Sequence, residues 1–215
     1  MPEEAVLSIL RQAGAVLTED HFVYTSGKHG SAYVNKDAVY PDVGITDVLC
    51  NAIAHHFRDA DVQTVVGPEH GGIVLQFATT LNLREQTNRN ISGVYAENAP
   101  YAYVTQKNFV FKRGFDRFVK GKRVLIVDDV LTTGSSIGAV VNAVRGTGGE
   151  VVGVGVLCNR GGITVEQLGV PELFALCNVS LESWPEEDCP LCAQGVPVNT
   201  TIGKGRAFLA RKQSA

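Results

Sequence analysis

The chain has 215 residues, 45% of them hydrophobic and 19% charged, with 23 glycines; this suits one good-sized α/β domain, leaves little room for two, and is globular in character. A formal net charge of −3 argues against a protein that wraps nucleic acid, which usually carries a basic excess. No stretch approaches the ~20 apolar residues of a membrane span, the acidic start Met1-Pro2-Glu3-Glu4 lacks the basic flank of a secretion signal, and five cysteines suit reduced thiols in a cytoplasm better than a disulfide framework.

Residues 3–13 have the spacing of a short amphipathic helix. Two extended pieces follow, Phe22-Val23-Tyr24-Thr25 and residues 31–35, around a glycine-rich turn. Beyond Pro41 the apolar positions Val48, Leu49, Ala52, Ile53 and Phe57 recur at helical spacing, with Asp42 or Thr46 as the cap. Thr64-Val65-Val66-Gly67 is a short buried strand leading through a Pro/Gly/His loop to a helix near 72–82. Val94-Tyr95-Ala96 and residues 101–105 are predicted strands. The strongest is 124–127, with a helix over 135–145 behind it, and 151–157 and 173–176 supply two more. Strands alternating with helices predict βαβ units, hence an α/β fold with a mainly parallel central sheet flanked by helices. Residues 1–40 and 181–215 break the alternation. The expected organisation is one domain over 1–215: an N-terminal hood, a core at 41–180 and a tail packed on it, Trp184 and the Val196-Pro197-Val198 stretch holding that tail to the sheet.

The four apolar residues at 124–127 deliver Asp128 and Asp129 to the carboxyl end of their strand, where open α/β sheets bind ligands. Neighbouring acids repel unless a metal or a set of hydroxyl donors accepts them, and the 2′- and 3′-hydroxyls of a ribose are such donors. Thr132-Thr133-Gly134-Ser135-Ser136 then forms a small-residue loop opening a helix. Backbone N–H groups at a helix N-terminus, joined by hydroxyls, cradle a phosphate, and Gly134 permits a positive φ or close approach. Either half alone reads as an ordinary strand–turn–helix with capping residues; together they describe a ribose phosphate held at both ends. The whole segment 124–136 resembles the 5-phosphoribosyl 1-pyrophosphate (PRPP) signature of the type I phosphoribosyltransferases. The resemblance implies that family's fold, with Asp128 and Asp129 on the ribose hydroxyls and residues 132–136 on the 5′-phosphate.

Further segments carry chemistry. In Gly67-Pro68-Glu69-His70-Gly71-Gly72 the glycines expose N–H groups to an anion and the following helix adds its dipole, although Gly-Pro turns are also common without a ligand. Lys107, Lys112, Arg113, Arg117, Lys120, Lys122 and Arg123 make a cationic run in which Asp116 is the one acid. Such runs are usually solvated; beside a phosphate site, a basic loop can close on an anionic leaving group. Phe22-x-x-Thr25-Ser26-Gly27-Lys28-x-x-x-x-Tyr33 and Cys158-Asn159-Arg160-Gly161-Gly162 complete the set, the latter placing at a strand end a guanidinium that suits a planar carboxylate.

These segments resemble the orotate phosphoribosyltransferases. The resemblance implies that 67–72 holds pyrophosphate and that Lys112 and Arg113 act from a mobile loop reaching the neighbouring subunit's site. It implies too that Lys28, Tyr33, Thr132 and Arg160 surround the base, Arg160 pairing with the orotate carboxylate. The chain departs from the family at Gly71, where many members have lysine, at Thr25, where some do, and at Gly30-Ser31, which replaces Ser-Pro. Phe111-Lys112-Arg113-Gly114 echoes only loosely the usual Lys-x-His-Gly. Cys189-Pro190-Leu191-Cys192 is half of a zinc site, but no second pair follows it and Cys177 would bring the sulfurs only to three. The expectation there is a tight turn with free thiols and no protein metal site.

The expected activity is phosphoribosyl transfer from PRPP to orotate, giving orotidine 5′-monophosphate and pyrophosphate, with Mg²⁺ as cofactor, in a cytoplasmic homodimer with shared sites and no nucleic-acid or membrane partner. The alternatives are a transferase for another base, such as a purine, and a non-catalytic PRPP-sensing regulator.

Overall fold

The computed structural model describes residues 1–24, 26–99, 108–179 and 182–213. Helix α1 (Glu3–Gln12) is followed by four two-residue strands, β1 (Val16–Leu17), β2 (Phe22–Val23), β3 (His29–Gly30) and β4 (Tyr33–Val34). The alternating part then runs α2 (Val43–Phe57), β5 (Thr64–Pro68), α3 (Gly71–Thr87), β6 (Ser92–Asn98), β7 (Phe109–Val110), β8 (Arg123–Leu131), α4 (Ser135–Gly146), β9 (Glu150–Asn159), α5 (Val165–Leu168) and β10 (Leu173–Asn178). Two helices close the chain, α6 (Pro190–Ala193) and α7 (Gly205–Gln213). The strand predicted at 101–105 lies outside the described residues, as does Thr25. No helix among the described residues is long and apolar enough to cross a membrane.

The main sheet has the order β10-β9-β8-β5-β6-β7. Its first five strands are parallel and β7 is antiparallel to β6. Alternation along the strands divides the core into two layers. Val65, Leu125 and Val127 meet Leu49, Ile53 and Phe57 of α2 and Leu75 and Leu83 of α3. Val66, Val124, Ile126, Val154 and Val156 meet Ile137, Val140, Val141 and Val144 of α4. Each such buried side chain stabilises the fold by about 1.5–3 kcal/mol. Glycine costs a strand entropy, yet β9 contains two for a steric reason. A Cβ at Gly155 would stand 2.6 Å from Ile53 Cγ2, and one at Gly153 2.5 Å from Phe57 Cε1. The two glycines let α2 lie close on the sheet.

Local signals explain most element ends. Asp42 caps α2, its Oδ1 accepting from Ile45 N at 3.0 Å, whereas Thr46 donates to Val39 O. One strand differs usefully from expectation. β8 does not stop at Val127: Asp128 stands opposite Val156 and Leu131 opposite Asn159 in the β9 register. The long partner strand keeps the ladder satisfied past the acids, so both carboxylates are held by sheet rather than by loop.

The terminal segments meet each other. β1 pairs with β4 and β2 with β3, both antiparallel. The outer edge of β3 needs backbone partners, and the tail supplies them: His29 N donates to Trp184 O (2.8 Å) and Trp184 N to His29 O (2.9 Å). Asn199 N donates to His21 O and Lys204 N to Val23 O. Trp184, expected against the sheet, is thus bonded to the hood. The cysteine expectation needs a correction. Cys189 and Cys192 are free thiols, but a second pair of potential ligands does face them, His21 and His29, supplied from 160 residues upstream and more by the β2–β3 hairpin.

Candidate active site

A cavity of about 570 Å³ opens at the carboxyl edge of the sheet, and its walls come from several separate stretches of chain. Asp128, Asp129, Thr132 and Ser136 come from β8 and the loop beyond it; Pro68, Glu69, His70 and Gly71 from the end of β5; Arg160 from the end of β9; and Tyr33, Asn35 and Asp37 from the hood. A smaller cavity of about 200 Å³ adjoins it, formed by Asp128, Val130 and Leu131 with Thr132, Thr133, Gly134, Ser135, Ser136 and Ile137.

Asp128 and Asp129 are only 8% and 4% exposed, so their oxygens need donors. Asp128 Oδ1 accepts from Asp129 N (2.9 Å) and Asp129 Oδ1 from Val130 N (2.6 Å). Asp129 Oδ2 accepts from the Tyr40 hydroxyl at 2.7 Å. Burial first, then the charge of Asp129 and this bond, push the Tyr40 phenol far above its ordinary range, which keeps it a donor. Sequence reasoning missed Tyr40, because nothing at the mouth of α2 marks a residue whose partner lies on β8.

The same carboxylate explains Gly71. A Cβ there would collide with Asp129 Oδ2 and stand 3.2 Å from the Tyr40 hydroxyl. With Asp129 and Tyr40 so placed, no side chain fits at 71, which accounts for the departure from lysine. Gly67 and Gly72 do a different job: a Cβ on Gly67 would collide with Gly72 O, so the two backbones touch and close the turn. Of the 67–72 segment, residues 68–71 form cavity wall, and Gly67 and Gly72 shape it. Glu69 is held by Asn98, whose N and Nδ2 both donate to Glu69 Oε1 (2.7 and 2.8 Å).

Gly134 adopts φ +74° at the mouth of α4, a conformation that favours glycine. Thr133 Oγ1 and Ser135 Oγ lie 3.0 Å apart across it. This loop is clamped to the next strand end. Arg160 N and Gly161 N both donate to Leu131 O (2.8 and 3.0 Å), and a Cβ at Gly161 would collide with Thr132 O. The phosphate-type loop and Arg160 are therefore one rigid neighbourhood. The Arg160 guanidinium lies over the Tyr24 ring, 4.4 Å from its centroid, and Tyr24 stacks on Tyr33. Burial raises the Tyr24 phenol pKa, opposed by the charge of Arg160. Tyr24 stood within the predicted hood but was not singled out; only the folded hairpin brings it beneath Arg160.

Two expected groups stand outside the cavity wall. Lys28 is exposed at the hood turn. Lys112 Nζ and Arg113 Nε bind the Glu97 carboxylate at 3.2 and 2.9 Å, and Glu97 is 9% exposed. The Arg113 hydrogen bond, against desolvation and with help from Lys112, holds that carboxyl below its ordinary range. Arg117 lies over Phe118, while Arg123 opens β8 at the end of the strand away from the acids. The described cations of the run thus stand in separate environments. Lys107 lies outside the described residues.

Comparison with known proteins agrees with this arrangement. Residues 44–171 match the phosphoribosyl transferase domain family. The orotate phosphoribosyltransferase of Desulforamulus reducens is 36% identical over 92% of this chain and 95% of its own; that of Thermotoga maritima is 36% identical over 93% and 98%. Among solved structures, orotate phosphoribosyltransferase from Aeropyrum pernix superimposes with a TM-score of 0.63 at 24% identity, covering 81% of this chain and 93% of that one. A Mycobacterium tuberculosis orotate phosphoribosyltransferase solved in complex with PRPP gives a TM-score of 0.55 at 20% identity, covering 82% and 88%; at these identities the likeness is one of fold. With the family matched across the sheet that carries the cavity, and curated relatives matched along nearly the whole chain, this protein belongs to the orotate phosphoribosyltransferase family.

Proposed function

We propose that the protein transfers the 5-phosphoribosyl group of PRPP to orotate, forming orotidine 5′-monophosphate and pyrophosphate. The observation that carries this reading is the convergence of separate segments on a cavity of about 570 Å³ and the smaller one adjoining it, each suited to a different part of the reactants. The 132–136 loop at the start of α4 takes the 5′-phosphate. Asp128 and Asp129 take the ribose hydroxyls. Residues 68–71 face the pyrophosphate, and Arg160, flanked by Tyr24 and Tyr33, faces the orotate carboxylate.

The donor's bond to pyrophosphate breaks at the anomeric carbon through an oxocarbenium-like state, as in glycoside cleavage. The protein then needs no covalent nucleophile. Its residues align the base nitrogen with the anomeric carbon, and the buried carboxylates stabilise positive charge developing on the ribose. Tyr40 and the 129–130 backbone hold Asp129 in one orientation throughout. The 160–161 clamp on Leu131 keeps the base and phosphate subsites in register.

Magnesium fits this donor set. Asp128 and Asp129 offer hard carboxylate oxygens at the cavity wall, suited to an ion that keeps several of its waters. When bound, the ion supplies charge neutralisation for the departing pyrophosphate. We further infer that the protein is a cytoplasmic homodimer of one-domain subunits, each a hood, a core and a tail, in which Lys112 and Arg113 serve the neighbouring site. Their position outside the cavity wall of their own chain is compatible with that role.

The test is pyrophosphate release from PRPP and Mg²⁺ on addition of orotate, uracil, adenine, guanine, hypoxanthine or xanthine. Turnover is expected with orotate. Turnover with a purine and silence with orotate would overturn the assignment, and PRPP binding with no turnover on any base would make the protein a sensor.

A further inference from the structure

Apart from the active site, His21 and His29 of the hood converge with Cys189 and Cys192 of the tail. One ligating atom from each lies within 4.8 Å of the others. Both histidines are fully buried and Cys189 nearly so. The secondary structure dictates the convergence. In the β2–β3 register Val23 stands opposite His29, so His21, two residues before Val23, shares its face of the hairpin. On the tail, Cys189 precedes α6 with Pro190 at its first position, and Cys192, three residues on, points the same way.

The distances approach those around one small ion. Zinc bonds of ~2.0–2.1 Å to nitrogen and ~2.3 Å to sulfur in a tetrahedron put ligand atoms about 3.3–3.8 Å apart. Here Cys189 Sγ and Cys192 Sγ lie 3.6 and 3.8 Å from His21 Nε2, and Cys192 Sγ lies 3.3 Å from His29 Nδ1. The two ring nitrogens, 2.8 Å apart, would open by about half an ångström to fit. The protonation of His21 is suitable as well. His21 Nδ1 lies 2.8 Å from Val196 O, and a carbonyl only accepts, so Nδ1 carries the proton and the bare Nε2 faces the cluster. A backbone carbonyl fixing the tautomer in this way is the usual outer support of a ligating histidine.

We propose that His21 Nε2, His29 Nδ1, Cys189 Sγ and Cys192 Sγ form a closed, four-coordinate zinc site that staples the C-terminal tail to the N-terminal hood. Two thiolates and two imidazoles select a borderline-soft ion over magnesium. With all four positions taken by protein, the role is structural. Binding sends both thiol protons to solvent, so the site loads poorly in acid. The assignment does not depend on the transferase reading.

The test uses the full chain without a histidine tag, thiols kept reduced, grown with zinc. Elemental analysis is expected to find about one zinc per chain. Cobalt added to the stripped protein is expected to give tetrahedral visible bands with a near-ultraviolet thiolate charge-transfer band, saturating at the same stoichiometry and displaced by zinc. Cys192→Ser and His29→Ala are expected to lose stoichiometric metal. Where a variant does not fold, the cobalt spectrum of the wild-type chain decides. A folded, reduced wild-type chain that takes up no metal, a cobalt complex without the thiolate band, or a folded Cys192→Ser chain that retains zinc at wild-type affinity would each overturn the proposal.

Discussion

The cavity at the sheet edge and the junction of hood and tail both bury polar side chains, but on opposite terms. At the sheet edge the donors are oxygens, Asp128 and Asp129 on a rigid central strand, facing a cavity of about 570 Å³. At the junction they are two nitrogens and two sulfurs facing one another with no more than 4.8 Å between them. The first arrangement leaves room for a substrate and the second only for an ion. The first sits on the central parallel sheet; the second joins a hood whose strands are only two residues long to a tail of short helices. Activity and stability therefore reside in different places: changes at the cavity should cost turnover and spare the fold, whereas changes at the junction should do the reverse.

The largest expected effect tests the first half of that contrast. Asp129→Asn keeps the shape and removes the charge, and kcat should fall on the order of 10²–10³-fold, the cost of losing one preorganised charge-stabilising group, with an unchanged circular dichroism melt. Activity within a few-fold of wild type would remove Asp129 from the reaction. Gly71→Ala should come next. Its Cβ collides with Asp129 Oδ2, and a displacement of about 1 Å at a reacting group costs roughly 10²-fold in kcat/KM. Unaltered kinetics in a folded Gly71→Ala protein would show that the carboxylate is free to move aside.

Arg160→Ala should raise the KM for orotate about 10- to 100-fold, as expected for a lost hydrogen bond to a charged group worth ~1.5–3 kcal/mol, while PRPP affinity measured by calorimetry stays put. An unchanged KM would exclude the carboxylate role. Metal removal probes the other region. If the junction holds zinc, a strong chelator should lower Tm by about 5–10 °C, as expected for a loss of a few kcal/mol in a chain of this size. Cys192→Ser should show the lower Tm from the start and no further response to chelator. A wild-type melt indifferent to chelation would break the contrast.

The smallest effect concerns Glu97. Its carboxyl is held below the ordinary carboxylate range, chiefly by the hydrogen bond from Arg113. A depressed folded-state pKa adds stability that is complete above the unfolded value and is lost as pH falls through the folded one. Glu97→Gln should therefore lower the urea midpoint slightly at neutral pH and not at all in strong acid. A deficit that persists in acid would show that packing, not charge, holds the basic segment.

Much of this protein was legible along the chain. Helical spacing at 48–57 and a cap at Asp42 or Thr46 placed α2, the apolar run at 124–127 marked the central strand, and the acids and hydroxyls that follow marked the donor site. Those features are local: a strand, a turn and a helix mouth present their groups together whatever the rest of the chain does. Tertiary structure decided what depends on distant partners. It set Tyr40 on Asp129 and Tyr24 beneath Arg160, forbade a side chain at 71, and drew Lys112 and Arg113 onto Glu97. It also joined His21 and His29 to a Cys-x-x-Cys turn lying 160 residues and more downstream, a pairing that only the β2–β3 hairpin and the tail's hydrogen bonds to its edge could bring about.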